Sequence, residues 1–228
     1  MRFAKEGYIW VIPLLLIDIW WHIISLPTKY NPWLYFWVIT APTCCGIILL
    51  ASFFRDPTRI TPTNFQSDRH VLSPADGSIC AIDYGGESLS IFVEMHYYNV
   101  HVVRAPTDVA VRDIIRQKGR HHLVYFFKKS TDSATRAIRK NARTLLILET
   151  KSGQKMEYYM ICGAFFRRAK PYVHIGDKLK AGDRVGMIVF GSTVKLTFLK
   201  ANYRIKVKIG DRVKAGMSIL CEQVNENG

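Results

Sequence analysis

The sequence predicts a mostly β protein in which a β-rich domain, closed as a barrel or built of two packed sheets, follows an N-terminal helical hairpin. Two long apolar runs fill residues 1–54, and short β-branched stretches separated by Gly and Pro turns fill residues 55–228. A motif of eight residues also occurs twice near the C-terminus. We therefore divide the chain into a membrane-associated hairpin, 1–54, and a β-rich domain, 55–228.

The two apolar runs, 8–26 and 33–54, lie on either side of a short polar turn. The second run contains no charged residue and reaches the length of about 20 residues that a membrane-spanning helix needs, whereas Asp18 makes the first run marginal. The hairpin either spans the bilayer twice or dips in and out, and a hairpin buried in a protein core is the alternative. Basic residues beyond both ends place the β-rich domain on the cytoplasmic face of the cell membrane.

The positive charge is concentrated in the second domain. Of the formal net charge of +14, residues 1–54 carry +1 and residues 55–228 carry +13. Such a domain attracts polyanions, either nucleic acid or an anionic membrane surface. Nucleic-acid binding leaves the apolar hairpin unexplained, and the sequence has no recognised nucleic-acid motif, so we expect a membrane partner and no nucleic acid.

Two residues in the middle of the chain are candidates for acid–base chemistry. Asp76 occupies a Pro-Ala-Asp-Gly turn, where an aspartate usually bonds to its own backbone. His101 interrupts a β-branched strand, so it is either a satisfied core histidine or a base that needs a carboxylate to orient it. We interpret Asp76 as that carboxylate. Farther on, Arg167 and Arg168 follow another strand and form either a solvated strand end or a phosphate contact.

The internal repeat relates residues 175–182 to residues 209–216, with six of eight positions identical at an offset of 34. Two Gly-Asp turns in similar strand contexts predict two similar corners of one closed sheet. The pattern resembles the hammerhead turns of biotinyl and lipoyl carrier domains. The segment between the repeats has no lysine in the context that those carriers modify, so a membrane-anchored adaptor with such a barrel stays as the alternative function.

The Gly191–Ser192 bond lies between two apolar, strand-like segments and is suited to self-cleavage. Gly191 has no Cβ, so its carbonyl is open to close approach and its backbone tolerates strain. Attack by the Ser192 hydroxyl on that carbonyl converts the amide to an ester. Loss of the Ser192 Cα proton then expels residues 1–191, and hydrolysis of the resulting dehydroalanine releases ammonia and leaves a pyruvoyl group.

Three stretches occur in one order along the chain: Ser-Pro-Ala-Asp-Gly at 73–77, Asn-Val-His-Val at 99–102 and Gly-Ser-Thr at 191–193. In this combination residues 55–228 resemble the short, pyruvoyl-dependent form of the phosphatidylserine decarboxylase family. The resemblance implies a self-processing lyase that converts phosphatidylserine to phosphatidylethanolamine as a heterodimer of its two cleavage products. It also implies no metal and no diffusible cofactor, because the pyruvoyl group derives from Ser192.

The resemblance assigns roles to individual residues. Ser192, His101 and Asp76 correspond to a triad similar to that of serine proteases, with Asp76 holding His101 in one tautomer. Tyr98 stands where longer members of the family have a second histidine, which leaves the proton donor after decarboxylation open. Together with Arg167 and Arg168, Tyr98 is a candidate contact for the substrate. The sequence does not distinguish a diacyl serine lipid from an ether-linked one.

Overall fold

The computed structural model of the 228-residue chain describes residues 2–25, 33, 36–120, 140–163, 168–189, 192–200 and 203–224. The chain forms two compact units, Met1–Thr58 and Arg59–Gly228. In the first unit, helix α1 (Lys5–Ser25) is followed by a π-helical turn (Phe36–Thr40) and helix α2 (Ala41–Phe53). Strand β1 (Arg2–Phe3) pairs antiparallel with β2 (Arg55–Asp56), so both ends of this unit are joined.

Within the described residues, one helix is long and apolar enough to cross a membrane. It is Lys5–Ile24 of α1, with a mean hydropathy of 1.7, and most of its side chains are exposed. The second predicted run is described only in part, and its described α-helix is the shorter α2, so its ability to span a membrane stays a prediction. In α1, Asp18 lies 3.8 Å from His22 Nε2, and Thr40 Oγ1 lies 3.1 Å from the same nitrogen. These contacts reduce the cost of a carboxylate in an apolar helix.

The second unit is built of strands. In chain order they are β3 His70–Leu72, β4 Gly77–Gly85, β5 Ser88–Met95, β6 Val102–Arg104, β7 Val109–Gln117, β8 Arg143–Thr150, β9 Lys155–Ile161, β10 Arg168–Pro171, β11 Lys178–Leu179, β12 Arg184–Val189, β13 Ser192–Leu199, β14 Tyr203–Ile205, β15 Arg212–Val213 and β16 Ile219–Gln223. Strand makes up 44% of the structure, which confirms the predicted mostly β class with N-terminal helices.

The strands form one large sheet and two small ones. The large sheet has the order β11-β7-β8-β9-β13-β5-β4-β15 and curls into a half-barrel. The small sheets have the orders β10-β12-β6 and β14-β16-β3. Apolar side chains that alternate along the strands, such as Val93, Leu146 and Leu196, are fully buried with Ile188 of a small sheet in one core.

The two copies of the sequence repeat occupy matching places in these sheets. The first copy forms β11, which pairs with β7 at one edge of the large sheet, and the second forms β15, which pairs with β4 at the other edge. The small sheets match in the same way, since β6, β12 and β10 correspond to β3, β16 and β14. The duplication therefore extends far beyond the eight repeated residues.

Backbone hydrogen bonds repeat between the two halves. Gly182 N donates to Ala105 O in one half, and Gly216 N donates to Ser73 O in the other, each at 2.9 Å. The two turns also meet, because a Cβ added to Gly216, whose φ is +69°, would lie 3.1 Å from the Gly182 Cα. Glycine is needed here both for the left-handed backbone and for the close approach.

Candidate active site

Ser192 is the first residue of β13, which lies inside the large sheet between β5 and β9. The preceding strand, β12, ends at Val189 and belongs to a small sheet. The chain thus changes from one sheet to another just before Ser192, whose backbone pairs with buried Met95. The predicted cleavage partner Gly191 and the Ser192 side chain lie outside the described residues.

His101 is fully buried beside the strand that leads to Ser192. Its carbonyl accepts a hydrogen bond from Ile188 N in β12 at 3.2 Å. Three peptide units join Val189 to Ser192, so the Cα of Ser192 lies within about 11 Å of the end of β12. The fold therefore brings the backbone of the predicted base and that of the predicted nucleophile to the C-terminal end of β12.

The ring orientation of His101 is fixed by a backbone carbonyl. Nδ1 lies 2.8 Å from Asn99 O, and because a carbonyl oxygen only accepts, Nδ1 is the donor. In the neutral ring the proton-accepting nitrogen is then Nε2. This arrangement gives a base of defined tautomer, which a general base for a serine hydroxyl requires.

Asp76 is buried but does not orient His101. Arg59 Nη2 donates to Asp76 Oδ2 at 2.6 Å, and the backbone N–H of Ala215 donates to Oδ1 at 2.8 Å. Within the described residues the Asp76 carboxylate makes no hydrogen bond to His101, so the predicted direct contact was wrong. The sequence motif correctly indicates a turn carboxylate, but the corner that contains it faces the second repeat.

Asp108 is the counterpart of Asp76 in the other half of the unit. Ala181 N donates to Asp108 Oδ1 at 2.9 Å, and Lys151 donates to Oδ2 at 2.7 Å. Partial burial raises the pKa of Asp108, but the hydrogen bonds from Lys151 and Ala181 and the nearby lysine charge outweigh it and hold the pKa below its usual value. Each Asp thus ties one repeat turn to one Pro-x-Asp corner and carries one basic partner.

The remaining predicted site residues are distributed as follows. Tyr98 is half exposed in a turn between β5 and β6, and its ring stacks on His96 with 5.4 Å between centroids. Arg168 begins β10 and pairs through its backbone with Val189, next to the chain that leads to Ser192. Arg167 and the Arg168 side chain lie outside the described residues, so no contact with Tyr98 is assigned to them.

Three residues of the sequence motifs take places in this region although the sequence gave them no role. Thr193 is fully buried, and its hydroxyl has no hydrogen-bond partner in the part of the chain that the structure describes. Asn141, also buried, donates to Cys162 O at 3.1 Å, next to the Ile161 that pairs with Thr193. Asn99 acts through its backbone carbonyl, and a backbone role cannot be inferred from the type of side chain. Asn99 and Thr193 belong to the motifs at 99–102 and 191–193, and Asn141 stands where the family has Asn-Glu-Arg, but residue type alone gave none of them a function.

The buried thiols do not compete with Ser192 as nucleophiles. Burial, reinforced by the charge of Glu94, raises the pKa of Cys80 to about 12, and burial raises the pKa of Cys162 to about 11. Both thiols are protonated at neutral pH, whereas a thiolate is the nucleophilic form. Neither thiol is therefore in the form that a nucleophile at this end of the fold would need.

Comparison with known proteins identifies a family for this chain. The family model for phosphatidylserine decarboxylase matches residues 48–221. The chain is 35% identical over 194 residues to a phosphatidylserine decarboxylase proenzyme of Nitrosomonas eutropha, covering 82% of this chain and 83% of the relative. A phosphatidylserine decarboxylase proenzyme of Paraburkholderia xenovorans is 36% identical, with 83% of each chain covered. A putative archaetidylserine decarboxylase proenzyme of Methanococcoides burtonii is 32% identical, covering 83% of this chain and 94% of the relative.

The match includes β3 to β15 and the whole stretch from Asp76 through His101 to Ser192. Coverage of this extent leaves only the N-terminal helices largely outside the shared region. The chain belongs to the phosphatidylserine decarboxylase family.

Proposed function

We propose that this chain is a self-processing decarboxylase that converts phosphatidylserine to phosphatidylethanolamine at a membrane surface. The observation that carries the proposal is the hydrogen bond between His101 O and Ile188 N, which places a buried imidazole of defined tautomer beside the strand that leads to Ser192. The relatives named as proenzymes support processing of a precursor. Residues 1–191 and 192–228 are the two products.

In the cleavage reaction, His101 Nε2 accepts the hydroxyl proton of Ser192 while Oγ attacks the Gly191 carbonyl carbon. The C–N bond breaks, the liberated amine takes a proton, and an ester joins the two segments. Removal of the Ser192 Cα proton then expels the carboxylate of residues 1–191. Water converts the dehydroalanine that is left into a ketone and ammonia, which completes the pyruvoyl group.

The start of β13 is a suitable place for a pyruvoyl group. Ser192 pairs with Met95, which is fully buried, and Thr193 is fully buried as well. A free α-ammonium group at this position would bring an unpaired charge into an apolar environment at high cost, whereas a pyruvoyl end is neutral. When present, this group supplies the electron sink that a departing CO₂ requires. The protein's own residues then bind the lipid, with Tyr98, Arg167 and Arg168 as proposed headgroup contacts.

Helix α1 and the charge of the second unit fit a lipid substrate. The helix presents exposed apolar side chains over a length that spans a bilayer, and residues 59–228 carry a net charge of +13. A basic surface is attracted to the anionic cytoplasmic leaflet. We therefore place the second unit on the cytoplasmic face of the cell membrane.

The decisive experiment is an intact-mass measurement of the purified, folded protein. We expect two chains, 1–191 and 192–228, with the second blocked to N-terminal sequencing. Addition of phosphatidylserine and borohydride should attach lipid mass to the short chain. A single uncleaved chain with no decarboxylase activity would contradict the proposal and favour a membrane-anchored adaptor.

A second candidate substrate is a serine lipid with ether-linked chains. The relative from Methanococcoides burtonii, named as a putative archaetidylserine decarboxylase proenzyme, is covered over 94% of its length. Both lipids share the phosphoserine headgroup, so the same site residues serve either. Competition between diacyl and diether serine lipids in mixed vesicles, followed by mass spectrometry of the products, separates the two candidates.

A further inference from the structure

The turn His96–Asn99 connects two parts of the proposed active site. It begins directly after Met95, which pairs with Ser192, and ends two residues before His101. His96 N donates to Asn99 Oδ1 at 2.8 Å, and Asn99 N donates to His96 O at 2.9 Å, so the turn is closed at both ends. Its conformation is therefore fixed by its own hydrogen bonds.

The apex of this turn exposes two aromatic rings. Tyr97 is 65% exposed and Tyr98 is 50% exposed, and their rings meet edge to face with centroids 5.2 Å apart. His96, which is half-buried, stacks on Tyr98. The two exposed tyrosine rings form an amphipathic surface of the kind found at membrane–water interfaces, where the ring is apolar and the hydroxyl group is polar.

Positive charge lies on the small sheet that the chain enters after this turn. Lys170 on β10 is exposed and pairs through the backbone with Met187, which pairs with Val102 on the far side. Two strand spacings, about 10 Å, therefore separate Lys170 from the residue that follows His101. With the net charge of +13 in residues 59–228, this arrangement complements an anionic lipid surface.

We propose that the turn His96–Asn99 is a membrane-docking surface of the second unit, distinct from the N-terminal helices, and that Tyr97 and Tyr98 enter the headgroup layer of an anionic bilayer. The proposal rests on the proposed function, because it assigns the bilayer as the source of the substrate. Asn99 O holds His101 Nδ1 at 2.8 Å, so the docked turn sets the catalytic base at the depth of the lipid headgroups.

The first test measures contact and does not depend on activity. The full-length protein is reconstituted in phosphatidylcholine vesicles with or without phosphatidylglycerol, an anionic lipid that it cannot decarboxylate, and tyrosine labelling by hydroxyl radicals is read by mass spectrometry. Labelling of Tyr97 and Tyr98 should fall severalfold in the anionic vesicles relative to Tyr84. Tyr84 is an internal control because it is 57% exposed and pairs with Leu89 near the opposite end of β5. Equal labelling of all three in both vesicles would overturn the proposal.

The second test compares substrates. Tyr97→Ser should lower decarboxylation of vesicle-borne phosphatidylserine about tenfold, the effect of losing ~1.4 kcal/mol of interfacial binding, and leave a monomeric short-chain substrate unaffected. Tyr84→Ser should change neither rate. If Tyr97→Ser slows both substrates equally, the turn only supports His101 and docking is wrong. Protection from labelling in a protein that decarboxylates neither substrate would support docking while contradicting the proposed function.

Discussion

The imidazole of His101 donates its Nδ1 hydrogen to the carbonyl of Asn99, so Nε2 is the ring nitrogen that accepts a proton. We expect His101→Ala to leave the precursor uncleaved, because positioned general-base catalysis contributes about 100-fold or more to the rate. Band patterns on denaturing gels after expression report this directly. His174→Ala is the control, since this histidine is exposed on a loop. Normal cleavage of His101→Ala would exclude it as the base.

Asp76 presents a different case, because its carboxylate joins Arg59 to the second repeat turn. Asp76→Ala should leave the chain uncleaved, because the corner at Pro74, which accepts a hydrogen bond from Arg104 N just after His101, loses its ties to Arg59 and Ala215. It should also lower the free energy of unfolding by about 3–5 kcal/mol, since the largely buried Arg59 loses its acid. Asp108→Ala removes the equivalent hydrogen bond from the other repeat turn and pairs with the exposed Lys151. It should cleave normally. If both variants fail to cleave, Asp76 acts through the stability of the fold and has no specific role in the site.

Thr193 carries a buried hydroxyl that lacks a hydrogen-bond partner among the described residues. A valine of similar shape would remove this unsatisfied group, so Thr193→Val should raise the free energy of unfolding of the precursor by about 1 kcal/mol. The comparison is made in a Ser192→Ala background, in which neither protein is cleaved, and thermal unfolding gives the difference. A lower midpoint for the double variant would show that the hydroxyl has a partner in solution.

Among the elements, the two repeat turns differ in how much space surrounds their glycines. Gly216 and Gly210 both have positive φ, but a Cβ on Gly216 would approach the Gly182 Cα and a Cβ on Gly210 would meet nothing within 4 Å. Gly210→Ala should cost about 1–2 kcal/mol from the left-handed backbone alone. Gly216→Ala should cost more, as measured by thermal unfolding. If both substitutions lowered the free energy of unfolding equally, the close contact between the turns at Gly182 and Gly216 would contribute nothing to stability.

The repeat also shows what could be predicted from the sequence. Identity at six of eight positions revealed the two edge turns, because their glycines and aspartates have strict backbone roles. The matching corners around Asp76 and Asp108 have only Pro and Asp in common. The strands beside them share no recognisable sequence, because many different side chains suit a strand. The duplication of whole half-sheets was therefore not recognisable before the hydrogen bonds were known.

The candidate site was predictable in its parts but not in its contacts. Ser192 and His101 stood out because their motifs have a chemical meaning. The partner of His101 proved to be the Asn99 carbonyl, and the partner of Asp76 proved to be Arg59, seventeen residues earlier along the chain. Such pairings depend on how turns orient side chains, and residue types alone do not encode that orientation.

On the scale of the whole molecule, we propose that the chemistry resides in the second unit and the anchor in the first. A truncated protein comprising residues 59–228 retains Arg59, the acid partner of which is Asp76. We expect it to cleave itself and to decarboxylate a soluble short-chain substrate. Its activity on vesicles should fall and become strongly sensitive to salt, because only its charge of +13 and exposed rings then attract it to lipid.

Two comparisons make this test specific. Arg59→Ala in the truncated protein should be less stable than the truncated protein itself, because the buried Asp76 then loses its charged partner. Failure of the folded truncated protein to cleave would place the helices within the catalytic fold and move the predicted boundary. If the truncated protein were as active on vesicles as the full chain at high salt, the N-terminal helices would not be needed as an anchor.

The place of Ser192 at the head of a strand that is paired on both sides bears on refolding. The segment that starts there supplies β13 and β15 to the large sheet and β14 and β16 to a small one. After the proposed cleavage the two pieces are interleaved and do not come apart on dilution. Once the two pieces are denatured, however, refolding requires them to associate, so a first-order folding reaction becomes a second-order one. Cleavage thus turns a protein that folds as a single chain into one whose native state is maintained by slow unfolding.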